Sequence, residues 1–164
     1  MRTIRIETEL PTGADRVFDA LRHPASFNYV TRGVLGFPAL AGRTEPYREG
    51  ERGRGWLLLG HVIPLHRHTI ELVELDATTR TLRSREHGGL LRAWNHTLHV
   101  EPIGPDRCRY SDTVALDAGP LTGPVAAFGR WFYGYRQRRW LRLVRKHLLP
   151  EGTSYRLSPG RPRG

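Results

Sequence analysis

Apolar and polar side chains alternate from Thr3 to Leu10, with Ile4, Ile6 and Leu10 on one face and Arg5, Glu7 and Glu9 on the other. A period of two marks a half-buried strand, which Pro11 ends. Thr12-Gly13-Ala14-Asp15 has the form of a helix capping box, with Asp in place of the usual Glu. The helix it opens sets Ala14, Val17, Phe18 and Leu21 on one face and stops before His23-Pro24. A second short helix is expected at about Ala25 to Val30, within an aromatic segment (Phe27, Tyr29, Phe37) that Phe37-Pro38 and Gly42 break up.

From Arg52 onward the pattern predicts strands over Arg54 to Leu59, Leu65 to Leu75, Arg80 to Glu86, Arg92 to Pro102 and Arg107 to Leu116. Gly60 to Pro64, Asp76 to Thr79, His87-Gly88-Gly89 and Ile103 to Asp106 separate them. Short connections between consecutive strands imply an antiparallel meander. Gly119-Pro120 closes it.

One long helical signal follows, from Leu121 to Leu148. At about 100° per residue, Val125, Phe128, Phe132, Tyr135 and Leu143 share a stripe, while Arg130, Gln137, Arg138, Arg142 and Arg145 lie opposite. Arg136 and Arg139 fall inside the stripe, so each needs a partner or a route to solvent. The result is an α+β fold: an antiparallel sheet of about seven strands, one or two short helices after the first strand, and a long C-terminal helix covering the buried face. Residues 1 to 149 form one domain, and 150 to 164, rich in Gly, Pro, Ser and Arg, a flexible basic tail. A curved sheet gripping one helix leaves space between them, where small ligands bind.

Composition narrows the setting. A chain of 164 residues suits a single domain with a real core. Its lone cysteine, Cys108, excludes an internal disulfide and suits a reducing compartment. Neither a signal-peptide core nor a membrane-length apolar run occurs, so a cytoplasmic location is expected. The formal charge of +10 invites a nucleic-acid or acidic-membrane reading. The arginines are spread along the chain, however, and no zinc-finger, helix-turn-helix or aromatic RNA-binding motif accompanies them. Nucleic acid is therefore not the expected partner.

A motif adds a family expectation. Leu82, Ser84, Glu86, Gly89, Leu90, Leu91, Trp94 and His96 stand in register with a Phe-x-Asp-x-Gln-x-x-Gly-Pro-Phe-x-x-Trp-x-His pattern. Asp112, Val114 and Leu116 follow an Asp-x-Val-x-Tyr pattern, and Tyr133 with Arg136 an aromatic-x-x-Arg pattern. Over residues 1 to 149 the chain thereby resembles the START-like helix-grip superfamily (SRPBCC), which includes polyketide cyclase/dehydrase-like and lipid-transfer domains. Within it the chain looks like a bacterial subgroup found alone or fused to a nucleotide-sugar-epimerase-like domain. The Gly, Trp, His, Asp and Arg positions match, whereas Ser84, Glu86, Leu90 and Leu116 depart. No dinucleotide fingerprint appears, so neither the epimerase-like partner nor a cofactor is expected.

Strand alternation identifies candidate chemistry independently. Trp94, His96, Leu98 and Val100 share one face of their strand; Cys108, Tyr110, Asp112, Val114 and Leu116 share one face of the next. A three-residue turn centred on Gly104 predicts His96 opposite Asp112 and Leu98 opposite Tyr110. A buried His–Asp pair hydrogen-bonds and fixes one imidazole tautomer, and Arg136 is its expected third member. Two readings stand: a satisfied polar network fastening the helix, or a general acid–base pair, His96 with Asp112, for dehydration or cyclisation. His66 and His68 share a strand face but lack further metal ligands, so no metal is expected. Cys108, on an apolar face, reads as a small buried hydrophobe.

The expected ligand-contacting set is Glu86, Trp94, His96, Leu98, Tyr110, Asp112, Phe128, Phe132, Tyr135, Arg136 and His68. The expected function is binding or carrying a small hydrophobic or amphipathic molecule, by a monomer or homodimer. A cyclase/dehydratase-like enzyme is the alternative, and a basic surface for nucleic acid or acidic lipid headgroups the third.

Overall fold

The alternation of the first ten residues becomes β1 (Arg2–Leu10) in a computed structural model that describes residues 1–146. Next come α1 (Ala14–Leu21), α2 (Pro24–Thr31) and the two-residue β2 (Leu35–Gly36). The meander is β3 (Arg52–Leu59), β4 (Ile63–Asp76), β5 (Thr81–Gly88), β6 (Leu91–Gly104) and β7 (Arg107–Asp117), and α3 (Thr122–Arg145) completes the fold. The predicted helix end at Leu148 and the tail from 150 lie outside the described residues.

All seven strands form one antiparallel sheet in the order β1-β7-β6-β5-β4-β3-β2. Helix α3 lies across it, packed most closely on β1, where the chain uses small residues. A Cβ on Gly129 would meet Ile4 Cδ1 at 2.9 Å, so helix and strand approach where a side chain has been deleted. This is the START-like helix-grip architecture, and the expected fold class is the one observed.

Four details differ from expectation. The capping box does not form: Gly13 is the N-cap with no side-chain bond to the helix, and Asp15 pairs with Arg80 at 2.6 Å. Strand β2 is unanticipated, because two residues carry no periodicity. The buried stripe of α3 keeps Phe132 and Leu143 of the predicted one but is turned by about one residue, running through Ala126, Gly129, Tyr133, Arg136 and Trp140. Gln137, expected on the solvent side, is buried, whereas Phe128 is exposed. Finally, the β6–β7 turn is not centred on Gly104. Strand β6 continues to Gly104, which pairs with Arg107 after an irregularity past Pro102, so His96 lies opposite Val114 and Leu98 opposite Asp112. The slide is two pairing positions, and a period of two returns every side chain to its face.

Candidate functional site

Asp112 is the centre of the buried polar group. His96 Nε2 lies 2.8 Å from Oδ1, diagonally across the strand pair rather than directly opposite. Tyr110 Oη donates to the same oxygen at 2.8 Å, and Gln137 Nε2 donates to Oδ2 at 3.2 Å and to the Ile6 carbonyl at 2.6 Å. Arg136 Nη2 stands at 4.0 Å, an ion pair without a hydrogen bond. Burial alone raises the Asp112 carboxyl, but the Arg136 charge and the His96 and Tyr110 bonds outweigh it and hold the group below 3.8. Since an ionised carboxylate only accepts, His96 carries its proton on Nε2. Its Nδ1 makes no hydrogen bond among the described residues.

A second chain of polar groups runs along β4 and β5. His66 Nε2 lies 3.2 Å from His68 Nδ1, His68 Nε2 lies 3.0 Å from Glu86 Oε2, and Ser84 Oγ donates to Glu86 Oε1. Burial raises Glu86 and lowers His66; for Glu86 the His68 bond, the histidine charges and Ser84 prevail, keeping it below 4.5. The bonds run in one direction, His66 Nε2 donating to His68 Nδ1 and His68 Nε2 donating to Glu86. These nitrogens face one another in series rather than converging. Among the described residues no group of three or more His, Cys, Asp and Glu is placed to hold a metal ion.

The two polar groups meet in a cavity of two lobes, about 120 Å³ and about 410 Å³, which share Phe27, Phe37, Ile70, Glu86, His96 and Arg136. The smaller lobe is walled by apolar residues including Leu72, Leu82, Leu98 and Trp140. The larger takes Trp94, Phe128, Phe132 and Tyr133, with His68 on its side. Trp94 Nε1 donates to Tyr133 Oη at 3.1 Å, and burial pushes the Tyr133 phenol up. Gly89, at φ +56°, passes His66 so closely that a Cβ would come within 2.6 Å of its ring; only glycine serves there.

Of the expected site residues, Glu86, Trp94, His96, Leu98, Phe128, Phe132, Arg136 and His68 line the cavity. Tyr110 and Asp112 lie behind its wall, supporting His96. Tyr135 turns away and donates to the Arg32 carbonyl at 2.6 Å. Arg139 also finds its partners elsewhere, with Nε on the Tyr29 carbonyl at 2.7 Å and its guanidinium 4.4 Å from the Tyr29 ring centroid. Gln137 escaped the sequence reading. Its signal was the small pair Ala126 and Gly129, which marks the face of closest approach more reliably than Phe128 does.

Arg136 is the group left incomplete. It is 5% exposed and forms part of both lobes, its guanidinium sits 5.0 Å from the Tyr133 ring centroid, and Nε has no hydrogen-bond partner among the described residues. Burial lowers its basicity, but Asp112 and the neighbouring phenols and Glu86 more than offset this, so it stays charged.

Solved structures share the architecture at low identity. Norcoclaurine synthase from Thalictrum flavum, in complex with dopamine and hydroxybenzaldehyde, superposes with TM-score 0.66 at 17% identity, covering 89% of this chain and 87% of its own. Zhui aromatase/cyclase from Streptomyces sp. R1128 gives 0.66 at 10%, covering 92% and 98%. A START superfamily protein from Mycobacterium smegmatis gives 0.63 at 11%, covering 88% and 98%. At such identities the likeness is one of fold. No curated protein matches the sequence. A family model matches residues 37–145, from the segment before β3 to the last residue of α3, and on that evidence the chain, whose fold is the START-like helix grip, belongs to the family Domain of unknown function (DUF8410).

Proposed function

We propose that this protein binds a small amphipathic molecule in the two-lobed cavity, with its apolar body along the lobes and an acceptor group, such as a carboxylate or enolate, against Arg136. The observation that carries this reading is the buried guanidinium with an unpartnered Nε at the junction of the lobes. A buried donor without an acceptor is costly, and a ligand oxygen removes that cost. Mass spectrometry of molecules released from the native protein, followed by a thermal-shift panel of aromatic and fatty carboxylates with their uncharged amides, tests it. The acids are expected to bind about 10- to 100-fold tighter than the amides, the range of a charged hydrogen bond, and Arg136→Gln to erase that preference. Val125→Phe, in the wall of the larger lobe, should weaken acids and amides alike. Failure of every compound to shift the native protein would overturn the reading.

Acid–base chemistry is the second reading, favoured by His96: Asp112 holds its Nε2 proton while the imidazole contributes to both lobes. In this reading Nδ1 is the base for a C–H acid beside a carbonyl that Arg136 polarises. The named activities of the aromatase/cyclase and the synthase are compatible with such a step. Its test is deuterium exchange from solvent into a bound 1,3-dicarbonyl probe, followed by NMR. His96→Gln should slow exchange at least about 100-fold while leaving affinity within a few-fold; equal exchange in both proteins would eliminate it.

A further inference from the structure

The larger lobe opens between the β3–β4 hairpin, the β5–β6 turn and the first half of α3. Leu65 (46% exposed), Leu90 (69%) and Phe128 (38%), one from each, line the lobe and face solvent at the same time, and so mark its mouth. Leu59, Val62 and Ile63 on the hairpin and Trp131 on α3 are also exposed. Trp131 is braced against Tyr135 and Phe128, with ring centroids 6.1 and 5.7 Å away. Side chains of this size at loop tips contribute little to a core, and a contiguous rim of them marks a contact surface.

The same rim is poor in acidic residues. Residues 20–44, 52–70, 87–100 and 118–146 supply the cavity's mouth and its surroundings, and they contain no Asp or Glu. Of the arginines on them, Arg32, Arg92 and Arg130 are exposed beside the mouth, and none of the three forms a salt bridge among the described residues. Elsewhere Arg5, Arg80, Arg83, Arg107 and Arg109 are each matched to a carboxylate, while Arg2, Arg16, Arg48 and Arg85 are exposed without a salt bridge among the described residues, on segments that also carry acids. Near the mouth, then, three arginines that form no salt bridge among the described residues stand in carboxylate-free segments beside exposed leucine, valine, isoleucine and tryptophan.

We propose that this rim seats the protein on a lipid bilayer containing anionic headgroups, the apolar tips entering the headgroup–acyl boundary and the arginines meeting the lipid charge. A second copy of the chain is the poorer occupant, because it would set one carboxylate-free rim against another. A nucleic acid would satisfy the arginines and leave Leu90 and Val62 in water. A bilayer surface matches both features. Among the described residues no helix is long and apolar enough to cross a membrane, so the contact is peripheral.

Co-sedimentation with phosphatidylcholine vesicles, with and without about one-third phosphatidylglycerol, tests the proposal in low and high salt. Anionic vesicles are expected to bind the native protein at least about tenfold better than neutral ones, an advantage that salt reduces. Arg92→Gln with Arg130→Gln should lower partitioning about 25-fold, near fivefold for each charge. Val62→Ser with Leu90→Ser should lower it at least about tenfold with thermal unfolding unchanged. Arg107→Gln with Arg109→Gln, away from the mouth, should leave it as in the native protein. The proposal is overturned if neither vesicle binds, if the Val62 and Leu90 changes have no effect, or if the native protein forms a dimer that Leu90→Ser abolishes. The assay needs no cavity ligand, so it and the ligand panel fail independently.

Discussion

At Asp112 the arrangement of single side chains becomes a pH dependence. A carboxyl held below its unfolded value stabilises the fold at all pH above that value, and the stabilisation drains away as protons return below it. Asp112 and Glu86 both lie on this side, from ordinary values of 3.8 and 4.5. Unfolding by urea should therefore show stability falling as pH drops below about 4.5. Asp112→Asn should cost about 3–5 kcal/mol at neutral pH, since it strips Arg136 of its counter-charge, and should leave a shallower acid limb. An Asn variant whose acid limb matches the native protein would disprove the assignment. Cys108 gives a simpler readout. Burial pushes its thiol up to about 11, so a disulfide reagent at pH 8 should leave it unmodified until the protein unfolds. Much of this was legible in advance, because His96, Asp112 and Glu86 each sat on a strand face that alternation identifies. So did Tyr110, two residues from Asp112 on the same strand face; the contribution of Gln137 was not legible, because it depends on how α3 is rotated against the sheet.

That rotation is a property of the element. The predicted stripe follows the spacing of large side chains through Phe128 and Tyr135. The observed stripe instead follows Ala126 and Gly129, because α3 comes nearest to β1 where bulk is missing. Gly129→Val should accordingly cost about 1–3 kcal/mol through collision with Ile4, measured by thermal unfolding, and Ile4→Ala in the same chain should recover part of the loss. Recovery absent from the double variant would mean that the helix does not bear on Ile4. Strand register shows the complementary limit. Face assignments survived a turn shifted by one residue because the slide came to two positions. Opposed pairs did not survive it, because nothing short of the turn's own geometry distinguishes Val114 from Asp112 as the neighbour of His96.

For the whole molecule, the sheet and its single long cover were legible because each strand is long, regular and bounded by turn residues. The division of the cavity into two lobes was not, because it arises where Phe27, Phe37, Glu86 and Arg136 converge from separate elements. Removing α3 exposes one side of both hydrophobic clusters, since Trp140, Leu143 and Val144 belong to one and Ala126, Phe132 and Tyr133 to the other. A chain truncated after Asp117 should therefore lack near-ultraviolet circular dichroism and cooperative unfolding. A sharp thermal transition in that fragment would show that the sheet needs no cover.

The pairing of β1 with β7 sets an order in time as well as in space. Arg2 lies beside Leu116, and Leu10 beside Cys108, so the strand made first hydrogen-bonds to one that leaves the ribosome about a hundred residues later. Until then Ile4 and Leu10 have neither the strand nor the helix that buries them. Hairpins β3–β4, β4–β5 and β5–β6 can zip locally as they emerge, but the edge formed by β1 must wait. Closing so long a loop is slow compared with forming a hairpin, and the nascent chain carries an unpaired apolar strand throughout that interval. For this fold the vulnerable period is synthesis, when the waiting β1 is a segment for chaperones to shield.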